Sequence, residues 1–125
     1  MGHTTDFDDV RRAMQPFGTT ATLITINEST APHVVTAVID VADGYLVADV
    51  GAKTRSNLAQ RPALALVWNP VDEGEYQLIL DGRADDLGEP NDRGVSTIRV
   101  AVTGGIMHRI AGLPPGPPTC RSLAS

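Results

Sequence analysis

Pro32-His-Val-Val-Thr-Ala-Val-Ile-Asp-Val-Ala-Asp-Gly-Tyr-Leu-Val-Ala-Asp-Val50 is the run on which the reading of the fold turns. Pro32–Val41 is rich in Val, Ile and Thr, and after Asp43-Gly44 a second apolar run, Tyr45–Val50, follows at once. Branched side chains suit a pleated, half-buried surface. Asp-Gly supplies the positive φ angles that a two-residue hairpin demands. These residues therefore read as two antiparallel strands. Upstream, Thr20-Ala-Thr-Leu-Ile-Thr-Ile26 has the same texture and joins them through the polar turn Asn27–Thr30. Downstream, Ala63-Leu-Ala-Leu-Val-Trp68 and Tyr76-Gln-Leu-Ile-Leu80 pair across the loop Asn69–Gly74.

Five strands joined by short turns fit an antiparallel barrel or sandwich, and the absence of alternating long helices disfavours a doubly wound sheet. Thr5 or Asp6 caps a short helix with Phe7, Val10 and Met14 on one face, ended by Pro16 and Gly18. Beyond Asp85 the pattern predicts a loop at Gly88–Gly94, a sixth strand at Val95–Val102, a turn at Gly104-Gly105 and a last short strand at Ile106–Ala111. The organisation expected is one domain over 1–112 and a mobile Pro/Gly-rich tail over 113–125.

Composition narrows the function. The chain has 125 residues, 42% hydrophobic and only 4% aromatic, so a single modest core must rest on aliphatic side chains. A formal charge of −5 lacks the basic stripe that nucleic-acid phosphates require. No uninterrupted apolar run is long enough to span a membrane, and no leader pattern opens the chain, so the expected location is the cytoplasm. Cys120 is the one cysteine and cannot staple the fold; Met1-Gly-His3 has the look of a cloning remnant.

Against this acidic background, Gly51-Ala-Lys-Thr-Arg-Ser-Asn-Leu-Ala-Gln-Arg-Pro62 gathers Lys53, Thr54, Arg55, Ser56 and Asn57 between a strand and a helical turn. A cation, a hydroxyl and free N–H groups at a helix start suit a phosphate. Lys and Arg after a strand also serve as ordinary solvated surface, and spacing alone does not choose between the two. Elsewhere chemistry is sparse. His33 is a rim histidine and the best available proton donor, though no catalytic residue is assigned. His3, His33 and His108 are dispersed, which argues against a metal site. There is no G-x-S-x-G elbow and no G-x-G-x-x-G fingerprint. Asp81, Asp85 and Asp86 read as turn and edge residues, and Trp68 as a half-buried strand residue rather than a stacking platform.

Residues Ala21 to Leu87 resemble the pyridoxamine 5′-phosphate oxidase-like, FMN-binding split-barrel family. The resemblance is carried by Ala21–Thr25, Pro32-His-Val-Val35, the strand ending Ala48-Asp49, Lys53-Thr-Arg-Ser-Asn-Leu58, Arg61-Pro62, Ala63–Trp68 and Glu75–Ala84 in that order. It implies a mainly β fold: a six- or seven-stranded antiparallel split β-barrel of Greek-key type with short helices. It further implies a homodimer holding FMN in a cleft between subunits. Carried over by position, Val35 and Thr36 line the ring and ribityl chain, and Ala48 and Asp49 contact the flavin or its phosphate arm. Lys53 and Thr54 hold the phosphate, with Arg55 and Asn57 as weaker additions, and Gln77 reaches the flavin from the other subunit.

The chain departs from the family in four ways. Val35 stands where the oxidase usually has arginine, and Thr54 where it has a second basic residue. The link from Asp85 to Val95 is too short for a helix many members carry there, and the C-terminal motif that grips the pyridoxal substrate is missing. Met107-His-Arg109 resembles the endings of other branches. The function implied is thus an FMN-dependent oxidoreductase acting on a small molecule other than pyridoxamine phosphate. Two alternatives stand beside it: a deazaflavin-dependent reductase, and a cofactor-free or flavin-storage binding module.

Overall fold

In the computed structural model, which describes residues 6–71 and 74–123, the strands close into a barrel. His3 and Thr5, which the sequence reading touched, lie outside the described residues. The chain opens with helix α1, Phe7–Met14, whose N-cap Asp6 accepts a hydrogen bond from the Asp8 N–H at 2.8 Å. Val10 and Met14, one turn apart on the same face, are buried against the barrel. A single 3₁₀ turn, Gln15–Phe17, then leads to Gly18.

Strands β1 (Thr20–Ile26), β2 (Pro32–Ala42) and β3 (Tyr45–Val50) form a meander. The β2–β3 turn has positive φ at both central residues, 52° at Asp43 and 79° at Gly44, the geometry of a type I′ hairpin. Helix α2 (Ala52–Gln60) then returns the chain, so that β4 (Ala63–Trp68) pairs with β1 rather than β3. Strands β5 (Tyr76–Asp86) and β6 (Ser96–Arg109) follow, giving the order β3-β2-β1-β4-β5-β6 with β3 and β6 paired to close the ring. The neighbours β4-β1-β2-β3 are a Greek key. A six-stranded antiparallel barrel with two short helices and one extra strand is thus the architecture, as the fold class expected.

Alternation along each strand decides what lies inside. Leu23, Ile39, Leu46, Leu66, Leu78, Leu80 and Ile98 point inward and are almost fully buried, around Trp68 at 1% exposure. Trp68 is therefore a core residue rather than half-buried, and its Nε1–H donates to the Gly18 carbonyl at 3.1 Å, which satisfies the indole polar group. The seam between β3 and β6 carries surface contacts too: Arg99 stacks 4.4 Å from the Tyr45 ring centre and pairs with Asp85 at 2.6 Å.

A second expectation is corrected. Gly104-Gly105 is not a turn but the middle of β6, which absorbs both expected C-terminal strands. Gly105 lies opposite Leu80, and a Cβ there would come within 2.7 Å of Leu80 Cδ2 and 2.6 Å of Leu123 Cδ1. Glycine is thus placed for close approach inside a strand, a use of the residue that resembles turn composition in sequence. Strand β7, Cys120–Arg121, pairs with Met107 and His108 on β6. The segment leading to it is tied down by Arg109, which holds Glu75 with two hydrogen bonds and the Pro114 carbonyl at 2.8 Å.

The outer face of the barrel is apolar over several strands. Partners across antiparallel strands share a face, so the register aligns Val34 with Ile24 and Ala65, and Thr36 with Thr22, Val67 and Ile79. Val34 and Val38 are 58% and 59% exposed. Among the described residues no helix is long and apolar enough to cross a membrane.

Candidate functional site

The β2–β3 ladder runs only from Ile39–Ala48 to Ala42–Tyr45. Before Ile39, β2 stays with β1 while the end of β3 turns off toward α2, and the splay opens a cleft of about 330 Å³. His33, Val35 and Thr36 wall it on the β2 side; Asp49, Gly51, Lys53 and Thr54 wall it on the other. A bond from the Ile39 N–H to the Thr19 carbonyl at 2.7 Å sets the alternation of the β1–β2 ladder. By that alternation Val34 and Thr36 turn their N–H and C=O groups away from β1, toward the open side. The cleft therefore offers unpaired strand donors and acceptors at one wall and a helix start at the other.

Gly51 is the extended N-cap of α2 and contributes no side chain, so no cap side chain takes up the first N–H groups of the helix. Lys53 stands exposed in the first turn, and Thr54 is buried at 2% beneath it. The donor set fits a phosphate: one ammonium, one hydroxyl and oriented amides. Asp49 also faces the cleft, where its Oδ1 accepts from the Thr97 hydroxyl at 2.6 Å, so the site has one cation and one carboxylate. A second hollow of about 320 Å³ continues past Thr36 and Asp49 to Val38 and Asp40.

Of the residues implied by resemblance, Val35, Thr36, Asp49, Lys53 and Thr54 meet in this one cleft, with His33 at its edge. The others are placed elsewhere. Ala48 is on the inward face of β3 at 4% exposure. Arg55 directs Nε and Nη2 to the Gly88 carbonyl at 3.0 and 2.8 Å, which fastens α2 to the loop after β5. Asn57 is buried, and its Nδ2 donates to Thr25 Oγ1 at 3.1 Å. Gln77 is half-buried on β5, opposite His108, away from this cleft within one subunit. The sequence reading did not find Gly51 as the bare N-cap or the splay of β2 from β3. The first was visible as a glycine between strand and helix; the second depends on pairing, which no local pattern carries.

No family model matches this chain. It is 41% identical over 75 residues to uncharacterized proteins of Mycobacterium bovis and Mycobacterium tuberculosis, a match covering 56% of this chain and 48% of each relative. The chain thus spans about half the length of the curated relatives it matches. Among solved structures, a putative pyridoxamine 5′-phosphate oxidase from Listeria innocua aligns with a TM-score of 0.63 at 13% identity, over 81% of this chain and 96% of that one. A protein described as an F420 reductase aligns at 0.61 and 16% identity, over 70% and 88%. An FAD-binding protein from Mesorhizobium loti aligns at 0.62 and 12%, over 84% and 93%. At these identities the likeness is one of fold. The chain shares its six-stranded antiparallel barrel fold with these proteins.

Proposed function

We propose that this chain binds FMN in the cleft between β2 and the start of α2, as a homodimer, and serves as a cytoplasmic oxidoreductase for a small substrate. The observation that supports it best is the convergence of Lys53, Thr54 and the bare α2 N-terminus at one end of a cleft whose other wall is an open strand edge. A flavin needs such a division: charge at the phosphate and alternating backbone donors and acceptors along the ring edge. When bound, the flavin supplies the hydride chemistry; Lys53 and Thr54 hold the phosphate, Val35 covers apolar ring surface, and Thr36 presents backbone groups. His33 at the cleft edge is the residue placed to hold or deliver a proton. The apolar outer face with Val34 and Val38 is where a second copy would dock, bringing its own Gln77 toward the neighbouring cleft.

A deazaflavin coenzyme is the second reading. With Val35 and Thr54 where cations are usual in the flavin family, Lys53 is, among the described residues, the one Lys or Arg lining the cleft, which suits a singly charged phosphodiester better than a doubly charged terminal phosphate. Absorbance of the purified protein followed by titration with FMN separates the readings. Yellow protein, or saturable quenching of FMN fluorescence, supports the first. Thermal stabilisation by coenzyme F420 but not by FMN supports the second, and indifference to both leaves a cofactor-free module.

A further inference from the structure

Toward the far end of β2 a pocket of about 200 Å³ lies between α1 and the strand, and it shares no lining residue with the cleft at Lys53. Arg11, Met14 and Gln15, at i, i+3 and i+4, wall it from the helix side. Ile39, Asp40 and Val41 wall it from the strand. The gap arises from the topology. Strand β1 begins at Thr20, opposite Val38, and before it the chain swings away through Thr19 and Gly18 toward the helix. The Ile39 N–H still reaches the Thr19 carbonyl, so the alternation of β2 turns the N–H and C=O of Val41 to that same side, beyond the last β1 partner.

Three kinds of group meet in this pocket. Its floor is apolar: Met14 and Ile39 are buried, while Val41 is left 39% exposed. Its edge is the open backbone of Val41. Its two walls carry opposite charges that do not pair with each other. Arg11 gives Nη2 to Asp8 at 3.1 Å in a solvent-exposed i,i+3 pair, and among the described residues Asp40 has no ion-pair partner. An exposed pair of that kind contributes little, so the guanidinium is available to a better-placed carboxylate. Size sets a further limit. An apolar cavity of about 150 Å³ holds benzene, so about 200 Å³ takes roughly eight non-hydrogen atoms, the size of valine or leucine.

We propose that the pocket between α1 and the end of β2 binds a free α-amino acid with an aliphatic side chain. The carboxylate takes the Arg11 guanidinium and the Val41 N–H, and the ammonium donates to the Asp40 carboxylate and the Val41 carbonyl. The side chain covers Met14, Ile39 and Val41. A simple aliphatic carboxylate would set its charge against Asp40, and a simple amine against Arg11; a zwitterion suits both walls.

Calorimetric titration of the full chain with L-leucine and two truncated analogues tests this. Isocaproate lacks the ammonium, and isopentylamine lacks the carboxylate. Leucine should bind saturably, with each analogue weaker by about tenfold or more because one wall is left unmatched. Arg11→Gln and Asp40→Asn, both at exposed positions, should each weaken leucine by a similar factor while circular dichroism shows the barrel intact. Absence of leucine binding overturns the site. So does an analogue that binds as tightly as leucine, or a leucine affinity unchanged in either variant.

Discussion

Lys53 and Asn57 are neighbours on one helix with opposite fates. Lys53 is exposed at the cleft, and Lys53→Ala should weaken FMN binding by about 1–3 kcal/mol, roughly fivefold to 150-fold, through loss of a charge-assisted contact. Titration by flavin fluorescence measures it, and an unchanged dissociation constant would put the phosphate elsewhere. Asn57 instead holds Thr25, itself fully buried, so Asn57→Ala should cost about 1–3 kcal/mol of folding stability, read from the urea midpoint. Both residues belong to the basic segment that composition singles out. What it could not separate was which side chains face the cleft, because that depends on how α2 is rotated against β1. Arg55 makes the same point: a guanidinium between strand and helix invites assignment to a phosphate, yet it is spent on the Gly88 carbonyl.

The first five strands were readable because their cues are local: alternation, Asp43-Gly44, and short polar turns. The two glycines of β6 misled for a physical reason, since Gly105 is required by a neighbour contributed from β5 and another from near the C-terminus. The pairing of β7 was equally hidden, as two residues carry no period. What holds that C-terminal segment is partly electrostatic. The hydrogen bonds and charge of Arg109 lower the Glu75 pKa below its ordinary 4.5, and Glu75 raises that of Arg109 in return. A carboxyl with a depressed folded-state pKa contributes stability in full above its unfolded value and loses it as pH falls through the folded one. Thermal melts from neutral pH downward should therefore show wild type ahead of Glu75→Gln at pH 7, with the gap closing below pH 4.5. A gap constant across that range would remove the ion pair from the account.

At the level of the whole molecule, the apolar outer face is where the proposed dimer can be tested. Val34 and Val38 stand more than half exposed on a sheet face that continues through Ile24 and Val67, an arrangement a lone small barrel does not need. Sedimentation at micromolar concentration should give twice the single-chain mass. Val38→Asp should halve it while preserving the far-ultraviolet dichroism. Wild type at single-chain mass would mean that each cleft must work without a neighbour's Gln77.

Paired with β1 on one side only, the stretch from Val34 to Thr36 has a cost when nothing fills the cleft. Bare strand groups in an otherwise ringed sheet invite a foreign chain to add on, so occupancy doubles as protection against clumping. Loaded protein should stay clear on prolonged warming, where the empty form turns cloudy.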